Sequence, residues 1–245
     1  MADTFISQRD TWSATVPDET TFTVDEEFRL IGRTFEEYRA MFGLDATELV
    51  DTRVLDCPGG PGAFTAVASA VGADVTAVDP AYGPPASDLG PVCDQAVTET
   101  VTQLHEKRDL FVWDFYGDVE TRGRYLRAAY ERFLTDYERH PNRYVEAALP
   151  DLPFPDDSFD LTLSANLLFL YDDRLSSEFH HAAVDELLRV TRGEVRLFPL
   201  ASLDRERSVF VDRVVGRLRE QDIETEFRPV DYEFQPGATE MLVLS

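Results

Sequence analysis

The 245-residue chain carries a single lysine, Lys107, among its 23 basic residues, with only two cysteines and four histidines. Cys57 and Cys93 give no disulfide framework, so stability has to come from a packed core. Cys57 falls at the end of an apolar run and reads as a structural thiol. The histidines, His105, His140, His180 and His181, lack metal-ligand spacing with cysteine or acid, and no metal site is expected. His180 and His181 read as a solvated helix face. No apolar run approaches the ~20 residues of a membrane span. The polar, acidic start lacks the pattern of a secretory leader, and a cytoplasmic protein is the expectation. No basic stripe is visible, which argues against a nucleic-acid backbone as partner. There is no G-x-S-x-G elbow for acyl transfer, and there are no internal repeats or low-complexity tracts.

Acid is in excess. Forty-seven Asp and Glu residues against 23 Lys and Arg give a net charge of −24. A carboxylate-rich surface nearly free of lysine resembles proteins of salt-loving archaea, where salt screens the self-repulsion. An acidic protein from an ordinary host is the alternative. A hydrophobic content of 43% suffices for a core. The length allows one large domain, with or without a small addition.

The chain is organised around Arg53 to Asp79. Arg53 to Cys57 is a short apolar run containing Asp56, and it breaks into Pro58-Gly59-Gly60-Pro61-Gly62. Ala63 to Val71 reads as a helix, and Val75 to Val78 as a second strand ending on Asp79. Strand, glycine turn, helix, strand and terminal acid form the first half of a nucleotide-binding α/β unit. Glycines let backbone approach a ligand, and the terminal acid is placed to accept bonds from ribose hydroxyls. A dinucleotide fingerprint would need glycine where Thr65 stands. Asp56 would repel a pyrophosphate but could meet an ammonium group. A ligand with a ribose, an amine and no phosphate suits both acids, and S-adenosyl-L-methionine is such a ligand.

At these residues the chain resembles the class I (Rossmann-like) S-adenosyl-L-methionine-dependent methyltransferases. LDCPGGPG is similar to their D-x-G-x-G-x-G turn, with Pro58 in place of the first glycine. The stretch Leu152 to Leu161, LPFPDDSFDL, resembles the segment that leads into their fourth strand. The family often has an acid a few residues before this Leu-Pro, contacting adenine. Here that place holds Ala148, which passes the contact to Asp151 or to backbone. The resemblance implies a mostly parallel seven-stranded sheet with helices on both faces and an antiparallel C-terminal hairpin. It implies that Asp56, Pro58, Gly59, Gly60, Gly62, Asp79, Pro80, Asp151, Leu152, Ser164, Ala165 and Asn166 hold the cofactor, with the last three at the carboxyl end of the fourth strand. No residue is singled out as a general base.

Residues 1–50 are expected to form an arm and a covering helix, with helical periodicity from Asp25 through Ile31, Phe35, Tyr38 and Phe42 to a stop at Gly43. Residues 51–245 are expected to form the cofactor domain, interrupted by a helical insertion at 82–140. In it Tyr82 to Leu89 reads as a loop, Val92 to Glu106 as helical, and Leu110 to Tyr116 as a strand or buried turn. Glu120 to Arg139 reads as a helix with Leu126, Tyr130, Phe133, Leu134 and Tyr137 on one stripe. The insertion is a lid over the acceptor, or else a decoration or dimer surface. Further along, Phe179 to Arg192 reads as a helix stopped by Gly193. The reading is methyl transfer to a small molecule by a monomer or homodimer. A non-catalytic binder of the same cofactor and, further off, an NAD-dependent oxidoreductase are the alternatives.

Overall fold

The computed structural model describes residues 30–245. The arm expected at Met1 to Thr23, and the start of the helix expected at Asp25, lie outside the described residues. Seven strands form one sheet: β1 (Arg53–Asp56), β2 (Asp74–Val78), β3 (Tyr144–Val145), β4 (Phe159–Ala165), β5 (Thr191–Phe198), β6 (Thr225–Pro229) and β7 (Glu240–Leu244). Their order is β3-β2-β1-β4-β5-β7-β6. The first five run parallel, and β7 is antiparallel to both β5 and β6. The expected α/β architecture with its terminal hairpin is therefore present.

Among the described residues six α-helices cover the sheet: α1 (Phe35–Phe42), α2 (Phe64–Ala70), α3 (Ala86–Glu106), α4 (Val119–Arg139), α5 (Ser177–Val190) and α6 (Val209–Glu220). Alternation along the strands splits the core into two layers. Val54, Leu163, Met241 and Val243 pack with Phe42 of α1 and Phe64 of α2. Leu55, Leu197, Leu242 and Leu244 face the other way, onto Leu187 of α5 and Val214 of α6.

Helix α1 begins at Phe35 because Thr34 and Glu37 form a reciprocal capping box, and Gly43 ends it in the left-handed conformation at φ 59°. Residues 30–34 precede the helix and are not helical, so Ile31 is not part of it. Helix α3 starts at Ala86, inside the expected loop, and runs through Pro91. Leu110 to Tyr116 forms no strand; Arg108–Leu110 is a short 3-10 turn, and the Val112 N–H donates to the Phe234 carbonyl at 2.9 Å. Helices α3 and α4 pair through Cys93, Val97, Leu126 and Tyr130. Phe133 and Tyr137 of α4 lie with Tyr82 against Tyr144 of β3. The insertion is thus one helical hairpin seated on the β2–β3 edge.

Two further readings change. Gly193 does not stop α5; it lies inside β5, where a Cβ would sit 2.1 Å from the Asp160 carbonyl oxygen. The β4–β5 register shifts at this place, so the glycine serves a strand irregularity. His180 is fully buried, its ring 4.1 Å from Phe210. Its two nitrogens lie 2.8 Å from the Ser176 carbonyl and 2.9 Å from the Leu168 carbonyl, so it packs between helix and loop instead of facing solvent.

Candidate functional site

In an open α/β sheet a ligand meets the carboxyl ends of the strands where the connections diverge. Here β1 is followed by β2 on one side and paired with β4 on the other, so the crevice opens between β1 and β4. A cavity lies there. It is bordered by Pro58, Gly59 and Gly60 after β1, Asp79 after β2, Ala165 and Asn166 at the end of β4, and Phe198 and Pro199 at the end of β5.

The glycine turn is held from three sides. The Gly59 N–H donates to the Val78 carbonyl at 2.9 Å, and the Ala63 N–H donates to the Arg33 carbonyl at 2.8 Å. The Tyr82 hydroxyl donates to the Gly60 carbonyl at 2.7 Å. A Cβ on Gly59 would come within 2.6 Å of the Tyr82 hydroxyl and 2.9 Å of the Ala77 Cβ, so only glycine fits. Gly60 adopts φ +51°, and a Cβ there would point toward the Asp79 carboxylate at 3.9 Å. Asp79 accepts one backbone N–H on each oxygen, from Gly60 at 3.0 Å and Ala81 at 2.9 Å. A carboxylate has about four acceptor positions, so it keeps capacity for two more donors. Burial pushes its pKa up, and those two N–H bonds pull it back.

Of the twelve residues expected to hold the cofactor, six border the cavity: Pro58, Gly59, Gly60, Asp79, Ala165 and Asn166. The other six do not. Asp56 is 1% exposed and turned beneath the turn, where it accepts the Tyr38 hydroxyl at 2.7 Å and the Thr65 hydroxyl at 3.4 Å. Burial raises its pKa to about 7, against the pull of those two bonds. Asp56 is therefore a buried anchor for α1, and Tyr38 stands at the cavity wall in its place. Gly62 packs on the Gly59 carbonyl, where a Cβ would lie at 2.9 Å. Pro80 is exposed. Ser164 is buried in β4, with its hydroxyl unpartnered among the described residues.

Asp151 and Leu152 belong to a different environment. The Leu152 side chain is in the α5–α6 core, and its N–H donates to Glu186 at 2.7 Å. Asp151 is exposed, and its N–H closes a turn onto the Ala148 carbonyl. Arg189 of α5 ties the whole loop down, donating to the Phe154 carbonyl at 2.9 Å, the Leu152 carbonyl at 3.3 Å and Asp156 at 2.7 Å.

The far wall of the cavity was not expected. It is built by Arg33, by Thr100, Leu104, Phe111 and Arg122 of the insertion, and by Tyr232 and Phe234 before β7. The signal for Arg33 lay in Thr34-Phe-Glu-Glu37, a capping box that starts the helix at Phe35 and leaves Arg33 outside it, beside the turn. Arg122 had no comparable signal, because it sits within an otherwise charged helix. Among the described residues no group of three or more His, Cys, Asp or Glu side chains is placed to hold a metal. No described helix is long and apolar enough to cross a membrane.

The chain is similar to several known proteins. Residues 124–198 match the family described as a methyltransferase domain. An uncharacterized protein of Methanocaldococcus jannaschii is 29% identical over 216 residues, covering 88% of this chain and 95% of its own. The 1,6-didemethyltoxoflavin-N1-methyltransferase of Burkholderia thailandensis, solved with bound 1,6-didemethyltoxoflavin and S-adenosylhomocysteine, is 15% identical. That match covers 86% of this chain and 78% of the enzyme, at a TM-score of 0.45. A SAM-dependent methyltransferase of Aquifex aeolicus is 16% identical, covering 84% and 92%, at a TM-score of 0.39. The domain match over residues 124–198 and the sheet order both support a methyltransferase fold.

Proposed function

We propose that this protein transfers a methyl group from S-adenosyl-L-methionine to a small-molecule acceptor bound in the same cavity. The observation that carries this reading is Asp79, which faces the cavity beside a side-chain-free glycine turn and keeps acceptor capacity on both oxygens. Those features fit a ribose with two hydroxyls. Gly59 and Gly60 would let the cofactor lie against backbone, and Ala165 and Asn166 would border its methionine side. When bound, the cofactor supplies an electrophilic methyl group on a sulfonium centre. The chain's part is to hold the acceptor in line and exclude water, for which Phe111, Tyr232 and Phe234 provide apolar cover. The net charge of −24 supports a small acceptor over a nucleic acid.

Titration calorimetry with S-adenosyl-L-methionine, and separately with NAD, tests the reading. Hydrogen bonds to a charged group contribute roughly 1.5–3 kcal/mol, so Asp79→Ala should weaken S-adenosyl-L-methionine about ten- to a hundred-fold. Asp79→Asn should do less harm, since an amide oxygen still accepts. NAD binding without S-adenosyl-L-methionine binding would sink the proposal. Methyl transfer into a cell extract then separates an enzyme from a non-catalytic binder. We also read the near absence of lysine as adaptation to molar salt, in the manner of haloarchaeal proteins. The melting midpoint should rise between about 0.1 M and about 2 M KCl; an equal or lower midpoint would remove that reading.

A further inference from the structure

Arg122 is 3% exposed, yet its Nε and Nη1 have no hydrogen-bond acceptor among the described residues. Buried donors of this kind are rare and call for an explanation, because a charged group pays the full desolvation cost when left unmatched. The guanidinium is fixed by rings, its Cζ 3.9 Å from the Phe234 centroid and 4.7 Å from that of Tyr116. Arginine stacks in this way with its donor edge left free. Its nearest carboxylate is Glu37, 3.6 Å from Nη1. That carboxylate is already engaged: one oxygen accepts the Thr34 N–H at 2.7 Å and the other the Tyr116 hydroxyl.

Glu37 is also shared. Arg33 Nε lies 3.6 Å from the same oxygen, and that nitrogen too lacks a hydrogen-bond acceptor. Around Glu37 two guanidinium groups thus stand against one carboxylate, leaving one positive charge in excess there, while the cavity's own carboxylate, Asp79, is engaged by the glycine turn. Both arginines border the cavity, together with Leu30, Ile31, Leu104 and Phe111. An apolar wall with one unmatched cation suits a monoanion on an apolar or aromatic body. A phosphate dianion would exceed the available charge.

We propose that the acceptor is a carboxylic acid with an apolar or aromatic body, its carboxylate received by Arg122 with Arg33 beside it. This rests on the methyltransferase reading for the word acceptor, but the anion site can be tested without it. Benzoate serves as the probe, benzamide as its neutral counterpart and inorganic phosphate as the competing anion. Each is titrated calorimetrically into the full chain, with and without S-adenosylhomocysteine.

Benzoate should bind about ten-fold tighter than benzamide, the worth of one charge-assisted pair, and phosphate should not displace it. Arg122→Gln should remove the preference for benzoate while leaving S-adenosylhomocysteine affinity within about two-fold, well under one decade of affinity. Arg122→Lys, which keeps the charge and loses the fork, should fall between them, and it carries the test should Arg122→Gln fail to fold. Equal binding of benzoate and benzamide by the parent protein, or no binding of either, overturns the proposal. So does phosphate binding as tight as benzoate. If Arg122→Gln weakens S-adenosylhomocysteine as much as benzoate, the arginine serves the cofactor and the proposal fails. A parent protein that prefers benzoate yet ignores S-adenosylhomocysteine keeps the anion site and discards the cofactor reading.

Discussion

The glycine turn at 58–62 and the LPFPDDSFDL loop at 152–161 both carry the resemblance to methyltransferases, and the structure uses them differently. The turn opens onto the cavity and is braced by Asp79 from within it. The loop is turned away and fastened to α5 by Arg189 and Glu186. A motif can therefore mark scaffold as readily as site. What separates the two is where their backbone polar groups go. In the turn the glycines leave one face free of side chains. In the loop the carbonyls of Leu152 and Phe154 are already consumed by Arg189.

The sharpest way to break the turn is from outside it. Gly32 lies against Pro61, and a Cβ at Gly32 would stand 1.9 Å from the Pro61 carbonyl oxygen. Backbone meets backbone there, so neither side can yield by a rotamer change. Gly32→Ala should lower stability by about 3 kcal/mol, the upper range for overpacking, and weaken S-adenosyl-L-methionine by shifting the turn. Chemical denaturation and calorimetry measure the two effects. Normal stability would mean that the segment before α1 is free to move off the turn.

Asp56 provides a milder and more selective probe of the same region. In the folded chain its pKa is raised to about 7 from an ordinary 3.8, chiefly by burial. The folded state therefore holds a proton that the unfolded chain has lost. The stability this supplies is complete below about pH 4 and is lost as pH rises to about 7. Asp56→Asn cannot ionise, and its amide can face Thr65 while its oxygen accepts from Tyr38. The substituted protein should be more stable than the parent at pH 8 by at most about 4 kcal/mol, about three pKa units at roughly 1.4 kcal/mol each. The advantage should shrink toward zero at pH 4. Denaturation curves at the two pH values check it, and a constant difference would show that Asp56 is ionised throughout.

Much of this was legible in the sequence, and the reasons are local. The glycine turn, Asp79 at a strand end and the stripe of α4 each follow from short-range chemistry and period. What was hidden depends on contacts between distant residues. Asp56 looked available because nothing near it in sequence says that Tyr38 would cover it. Gly32 looked ordinary because its reason is a carbonyl 29 residues later. Gly193 looked like a helix stop because helix ends and strand irregularities both favour glycine. Arg122 is one arginine among several on α4, and only burial sets it apart.

The loop should answer to a different measurement from the turn. Arg189 joins three points of the loop to α5, but its side chain is 35% exposed, so solvent screens much of the gain. Arg189→Ala should cost about 1 kcal/mol of stability, by loss of its bonds to the Phe154 and Leu152 carbonyls. The affinity for S-adenosyl-L-methionine should stay within about two-fold, because no atom of the loop borders the cavity. Asp151→Ala should be quieter still, within about 0.5 kcal/mol in stability as for exposed positions generally. It tests one of the two sources of the adenine contact that the resemblance leaves, the Asp151 side chain as against backbone. A clear loss of affinity in Asp151→Ala, with stability unchanged, would return the loop to the site and make Arg189 its support. Unchanged affinity in both variants would confine cofactor recognition to the ends of β1, β2 and β4.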